Sequence, residues 1–253
     1  MRIVLPLLLL ALTTGCVGQA IHLSTDGLVR RDTLTIHDRV RARPIPIAIY
    51  KAVLPEKAPK LVLLSHGYNE NLPGTYLRFS SMAEHLARNG HLVVSIQHEL
   101  PTDPLLAMNG DLATLRRPNW ERGVENIHCV LLHARSLGLG VDTATAILIG
   151  HSNGGDMSLL FATLHPELVD CVVTLDNRRM PLPRTSRPRI CSVRANDVAA
   201  DPGVLPDDAD RDRYGIRIVE LPGIRHVEMN DRGTAEQRTR LNTAVLGLIA
   251  GGH

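Results

Sequence analysis

The sequence predicts an α/β fold, in which helices cover both faces of a mostly parallel central sheet. Short continuous apolar runs, such as residues 61–64 and 92–95, have the length of strands that are buried on both faces. Longer amphipathic stretches alternate with these runs along the chain. Alternation of strand and helix is typical of a parallel sheet, because each helix carries the chain back across the sheet.

The elements follow from this pattern in chain order. Segments 32–39 and 45–53 are rich in Thr, Ile and Val, and the Arg43-Pro44 break between them predicts an opening antiparallel hairpin. The continuous apolar runs predict strands at 61–65, 92–97, 146–150, 169–175, 190–194 and 216–220, and the amphipathic stretches predict helices at 76–89, 120–137, 155–164 and 234–250. Segments 101–118 and 177–189 show neither pattern, so we expect long loops there.

Size and composition indicate one globular domain over residues 21–253. A chain of 253 residues can bury one large core, and its 44% hydrophobic and 21% charged residues are ordinary for a globular protein. The formal net charge is +2, and no lysine-rich stripe is interleaved with aromatic residues. Composition therefore argues against a nucleic-acid partner and names no ligand, and it does not predict the oligomeric state.

Residues 1–20 are typical of an export signal. Arg2 precedes an apolar run over 3–12, which is too short to span a membrane. Cleavage after Ala20 would release a periplasmic or secreted protein without a transmembrane span. Residues 12–16 also resemble a bacterial lipobox, in which Cys16 would carry a lipid anchor, although Thr13 departs from the usual aliphatic residue.

The strongest chemical motif is Gly150-His151-Ser152-Asn153-Gly154, which lies between a buried strand and a helix. In that context G-x-S-x-G forms a sharp turn that presents the serine hydroxyl above the sheet. The turn leaves no room for side chains at Gly150 and Gly154. The motif therefore predicts Ser152 as a nucleophile.

A serine nucleophile needs a histidine base, and chain order selects His226. Of twelve histidines, only His165, His226 and His253 follow Ser152. His165 ends the helix that leaves the turn, and His253 is the last residue. His226 follows the strand at 216–220 through the Pro222-Gly223 turn, so a loop can carry it over the serine.

Three aspartates are candidates for the carboxylate that orients His226. Asp197 is preferred because it lies three residues after the strand at 190–194. Asp201 follows in the same loop, and Asp176 ends the preceding strand. Aspartate beside Asn, Pro and Gly also caps turns, so each has a purely structural alternative.

The transition state of acyl transfer also needs donors for its oxyanion. One predicted donor is the backbone N–H of Asn153. The second is the backbone N–H of Tyr68, because the Ser65-His66-Gly67-Tyr68 turn follows the strand at 61–65 and is similar to an H-G-x oxyanion motif.

These motifs, in this order, resemble the α/β-hydrolase superfamily over nearly the whole mature chain. Two segments, 42–50 and 95–100, look similar to bacterial esterases related to dienelactone hydrolase and platelet-activating-factor acetylhydrolase. The resemblance implies ester hydrolysis through an acyl-serine, with no cofactor and no metal. Amidase, peptidase or polyester depolymerase activity on the same fold remains an alternative, as does a non-catalytic exported binding protein.

Two features bear on the substrate. Aromatic residues make up 3% of the chain, with a single tryptophan, so a stacking platform for polysaccharide is not expected and a small or acyl ester fits better. The arginines in the 177–189 loop have two open interpretations. Arg178, Arg179 and Arg184 either bind a substrate anion or pair with Asp and Glu of the protein.

Overall fold

The computed structural model describes residues 20–54, 59–136 and 141–251. Residues 1–19, with Cys16, and His253 lie outside this part of the chain. The strands described are β1 (Ala20–Leu23), β2 (Val29–Asp38), β3 (Arg43–Ala52), β4 (Lys60–Ser65), β5 (His91–Ile96), β6 (Asp142–His151), β7 (Val169–Leu175), β8 (Arg189–Arg194) and β9 (Arg217–Glu220). The helices described are α1 (Ser80–Arg88), α2 (Leu112–Ser136), α3 (Asn153–Leu164), α4 (Asp208–Tyr214) and α5 (Ala235–Ile249).

The described strands form one mixed sheet in the order β1-β2-β3-β5-β4-β6-β7-β8-β9. The pairs from β5 and β4 through to β9 are parallel, whereas β1, β2 and β3 add antiparallel at one edge. The predicted hairpin and parallel sheet are therefore confirmed. Because β4, β6, β7 and β8 run in the same direction, the loops after them meet at one edge of the sheet.

Successive side chains of the central strands enter two separate cores. Leu61, Leu63 and Leu148 face the core that is closed by α2 and α3, and Val62 and Ile149 face the core beneath α1 and α5. A strand directs alternate residues to opposite faces, so continuous apolar runs are needed when both faces are buried. The predicted covering of both faces is confirmed.

Several boundaries differ from the prediction. Helix α2 begins at Leu112, not at 120, and Pro118 lies inside it. Asp111 marks this start, because its carboxylate accepts the backbone N–H and the hydroxyl hydrogen of Thr114. Strand β1 and helix α4 were not predicted. Helix α4 is short and highly charged, and its start depends on the Asp207 side chain, which accepts the Asp210 N–H at 2.8 Å. In the described ranges, no helix combines the length and apolarity needed to cross a membrane.

Candidate active site

Ser152 lies at a sharp turn between β6 and α3. Its backbone has φ 51° and ψ −121°, in the region that non-glycine residues rarely adopt. A Cβ on Gly150 would lie 2.3 Å from the Gly154 carbonyl oxygen, and one on Gly154 would lie 2.4 Å from the Ser65 carbonyl oxygen. The two glycines of the motif are therefore required by close backbone approaches, and the turn holds the Ser152 hydroxyl at the edge where the parallel strands end.

The structure brings the imidazole of His226 to Ser152. His226 Nε2 lies 3.0 Å from Ser152 Oγ, and His226 Nδ1 lies 2.6 Å from Asp176 Oδ2. The ionised carboxylate can only accept, so the hydrogen of the neutral imidazole is on Nδ1. Nε2 is then left as the acceptor for the serine hydroxyl, which is the arrangement that a general base needs.

The structure corrects the predicted position of the acid, because Asp176 contacts the imidazole and Asp197 does not. Strand β7 lies beside β6, and the Ser152 N–H donates to the carbonyl of Leu175, the last residue of β7, at 2.9 Å. Asp176 directly follows Leu175, so it lies at the end of the strand next to the one that carries Ser152. Asp197 lies beyond β8 on an exposed loop, where its carboxylate accepts the backbone N–H of His226 at 3.0 Å.

The Asp176 carboxylate is fully buried, and the charges of two neighbouring guanidinium groups balance its negative charge. Its Oδ1 lies 3.0 Å from the Arg194 guanidinium and its Oδ2 lies 3.1 Å from that of Arg178. Burial raises the pKa of Asp176, but the hydrogen bond from His226 and the positive charge of Arg194 outweigh burial, so that the net pKa lies below its usual value. The carboxylate thus stays ionised beside His226.

The predicted oxyanion donors flank the serine. Gly67 packs so closely that a Cβ there would lie 3.2 Å from Ser152 Cβ, and Gly67 and Tyr68 line the cleft with Ser152. Asn153 is the first residue of α3, where a backbone N–H has no partner within the helix. Both predicted segments are therefore at the serine.

A buried polar network that sequence reasoning missed holds the Asn153 side chain. Its Nδ2 donates to Asn119 Oδ1 at 2.7 Å and to Glu99 Oε1 at 3.1 Å, and its Oδ1 accepts from Trp120 Nε1 at 2.8 Å. In addition, His66 Nε2 accepts the backbone N–H of His98 at 3.1 Å. The start of α3 is thus fixed by side chains from α2 and from the loop after β5, a convergence that the local sequence does not reveal.

His151 supports the loop that carries His226. Its Nε2 lies 3.0 Å from the His226 carbonyl oxygen, to which it donates, and the two rings lie 4.7 Å apart. The pKa of His151 is lowered to about 3, mainly by burial and to a smaller extent by the neighbouring His226 ring. His151 is therefore a neutral positioning residue.

The lowered pKa of His151 predicts how stability depends on pH. Between about pH 6.5 and pH 3 the unfolded chain binds a proton that the folded state excludes, so stability falls as pH falls through this window. One such proton contributes at most about 1.4 kcal/mol per pH unit. His151→Gln, which keeps an N–H donor, is expected to flatten this slope in urea unfolding between pH 7 and pH 4.5. The exposed His37→Gln variant is the control, and a wild-type slope in His151→Gln would contradict this assignment.

The serine opens into a small polar cleft of about 100 Å³. Its lining residues are Gly67, Tyr68, Asn69, Thr75, Arg78, Phe79, His151, Ser152, His226, Val227, Asn230 and Arg232. The arginines considered from the sequence do not line it. Arg178 pairs with Asp176, Arg179 pairs with Asp201 at 2.7 Å, and Arg184 pairs with Asp210 at 3.4 Å.

Comparisons with known proteins identify the fold. The sequence matches no protein-family model and no curated protein. Solved structures do match. An esterase from Rhizomucor miehei is 15% identical with a TM-score of 0.64, over 89% of this chain and 84% of that chain. A dienelactone hydrolase-like promiscuous phosphotriesterase from metagenomic libraries is 16% identical with a TM-score of 0.61, over 89% and 99%. Esterase 2 from Thermogutta terrifontis, phosphorylated by paraoxon, is 14% identical with a TM-score of 0.59, over 86% and 94%. The chain therefore has the α/β-hydrolase fold that its motifs predict.

Proposed function

We propose that this protein is a serine hydrolase that cleaves carboxylic esters through an acyl-serine intermediate. The observation that carries the proposal is the continuous hydrogen-bonded chain Asp176–His226–Ser152 at the edge where the parallel strands end. A strained serine, a base with its tautomer fixed and a buried carboxylate are the parts that nucleophilic catalysis requires.

The proposed reaction gives each of these residues a role. Ser152 Oγ attacks the ester carbonyl carbon while His226 Nε2 takes the hydroxyl proton, and Asp176 stabilises the imidazolium. The backbone N–H groups of Tyr68 and Asn153 stabilise the oxyanion. His226 then gives its proton to the alcohol oxygen as the carbon–oxygen bond breaks. Water, deprotonated by His226, then attacks the acyl carbon. His226 returns this proton to Ser152 Oγ as the bond between the acyl group and the serine breaks, and the carboxylic acid is released.

The cleft favours a small ester over a polymer or a long acyl chain. Its volume is about 100 Å³, and most of its lining side chains are polar. A series of 4-nitrophenyl esters from acetate to decanoate, compared with matched 4-nitroanilides, tests this class. We expect the highest kcat/KM at two to four acyl carbons and little anilide cleavage. Preference for anilides would instead favour an amidase.

A non-catalytic binding protein is the alternative from another class. It predicts no ester turnover and no labelling of the folded protein by a fluorophosphonate probe.

Export remains part of the proposal. The positive residue, the apolar run and the small residues within 1–20 support it. Mass measurement of the mature N-terminus after expression in a bacterial host distinguishes release after Ala20 from a lipid on Cys16, and an intact Met1 in the cytoplasm would contradict both.

A further inference from the structure

We infer that the ester this protein hydrolyses carries a second, negatively charged group, a carboxylate, which Arg78 and Arg232 bind beside Ser152. This inference rests on the proposed function, because it names the substrate class of the same site.

The charge of the cleft is the first observation. Two of its lining residues, Arg78 and Arg232, carry a positive charge, and none of them is Asp or Glu. Within the described part of the chain, no carboxylate lies within ion-pair distance of either guanidinium, whereas Arg178, Arg179 and Arg184 all have one. Two uncompensated guanidinium groups beside a nucleophile favour an anionic ligand.

The two arginine-bearing segments are held together by the Asp231 residue between them. The Asp231 N–H donates to the Arg78 carbonyl oxygen at 2.9 Å. The Asp231 carboxylate accepts the backbone N–H groups of Ser80 and Ser81 at 2.9 and 3.1 Å. This carboxylate is thus occupied at the first turn of α1 and does not line the cleft, so it leaves both arginines uncompensated.

Hydrogen bonds within the protein already fix the orientation of the Arg78 guanidinium before a ligand binds. Its Nη1 donates to Asn69 Oδ1 at 2.9 Å, and Asn69 Nδ2 donates in turn to Thr75 Oγ1 at 3.1 Å. A guanidinium has five N–H donors in a planar fork, so the remaining donors of Arg78 stay available for a planar carboxylate. Holding the fork in place reduces the entropy that binding would otherwise lose.

The size of the cleft limits the distance between the ester that is cleaved and the carboxylate of the same substrate. A volume of about 100 Å³ accommodates a short acyl chain that ends in a carboxylate. A matched pair of probes tests this: 4-nitrophenyl hydrogen glutarate carries the carboxylate, and its methyl ester has the same acyl chain but no charge.

We expect kcat/KM for the glutarate to exceed that for its methyl ester by about 10-fold or more. This ratio corresponds to the free energy of one hydrogen bond to a charged group. Arg78→Gln and Arg232→Gln are each expected to reduce this ratio by about 10-fold, because each raises KM for the glutarate more than KM for the methyl ester. Arg78→Lys, which keeps the charge, should retain part of the preference. Arg213→Gln, an exposed arginine on α4 outside the cleft, is the matched control and should keep the wild-type ratio.

The outcomes separate this inference from the proposed function. An equal or lower kcat/KM for the anionic ester, or a ratio unchanged in both glutamine variants, would overturn the inference while ester hydrolysis remains. Absence of hydrolysis of both esters, together with absence of fluorophosphonate labelling, would overturn the proposed function and this inference with it.

Discussion

Ser152→Ala is expected to lower kcat for short-chain esters by at least about 10⁴-fold. The variant lacks the hydroxyl that we propose as the nucleophile, so we expect that no acyl-enzyme forms and that only oxyanion stabilisation and substrate binding remain. Steady-state hydrolysis of 4-nitrophenyl butyrate measures the loss, and circular dichroism checks the fold.

Ser186→Ala is the control for this substitution, because Ser186 is exposed on the loop before β8 and does not line the cleft. It should retain wild-type turnover. A folded Ser152→Ala variant that keeps more than about a tenth of the wild-type rate would contradict the nucleophile assignment.

Asp176→Asn is expected to lower kcat by about 10³- to 10⁴-fold, whereas Asp197→Asn costs less than about 10-fold. Removal of the Asp176 charge loses both the orientation of His226 Nδ1 and the stabilisation of the imidazolium. The Asp197 carboxylate only accepts a backbone N–H, and an asparagine oxygen can still accept it. Parallel kinetics of the two variants measure the difference, with Asp201→Asn as a further control.

Asp176→Asn also leaves the guanidinium groups of Arg178 and Arg194 without their buried counter-charge, which lowers stability by several kcal/mol. Activity is therefore normalised to the folded fraction at the assay temperature. The reverse order, with a large loss only in Asp197→Asn, would restore the acid predicted from the sequence.

The contact between Ser152 and His226 could be predicted because the signals for these two residues are local or depend on chain order. Gly150 and Gly154 mark a turn with no space for side chains, and the buried run before them marks the strand. His226 remained after elimination of histidines in unsuitable positions. These arguments need no knowledge of which strands are neighbours.

The contact between Asp176 and His226 was not preferred from the sequence because it depends on strand neighbours and counterions. Asp176 reaches His226 because β7 lies beside β6, and its buried charge is tolerated because Arg194 comes from the end of β8. Asp197 lies beside Asn196 in an exposed loop and has the local sequence of a turn. Its carboxylate accepts the backbone N–H of His226. The signal that could have indicated Asp176 is its place directly after the buried strand β7.

The arginines of the cleft were missed for a similar reason. Arg78 and Arg232 are brought to one site because Asp231 accepts hydrogen bonds from the backbone of Ser80 and Ser81, more than 140 positions away in the chain. Sequence proximity instead drew attention to the 177–189 loop, where Arg178, Arg179 and Arg184 pair with aspartates.

Reaction with a fluorophosphonate, followed by peptide mass mapping, tests the arrangement of Ser152 and His226 most directly. We expect one adduct per chain, located on Ser152, with labelling lost in Ser152→Ala and slowed by at least about 10³-fold in His226→Gln. A folded wild-type protein that takes up no label, or that is labelled equally fast without the His226 imidazole, would contradict the activation of Ser152 by His226.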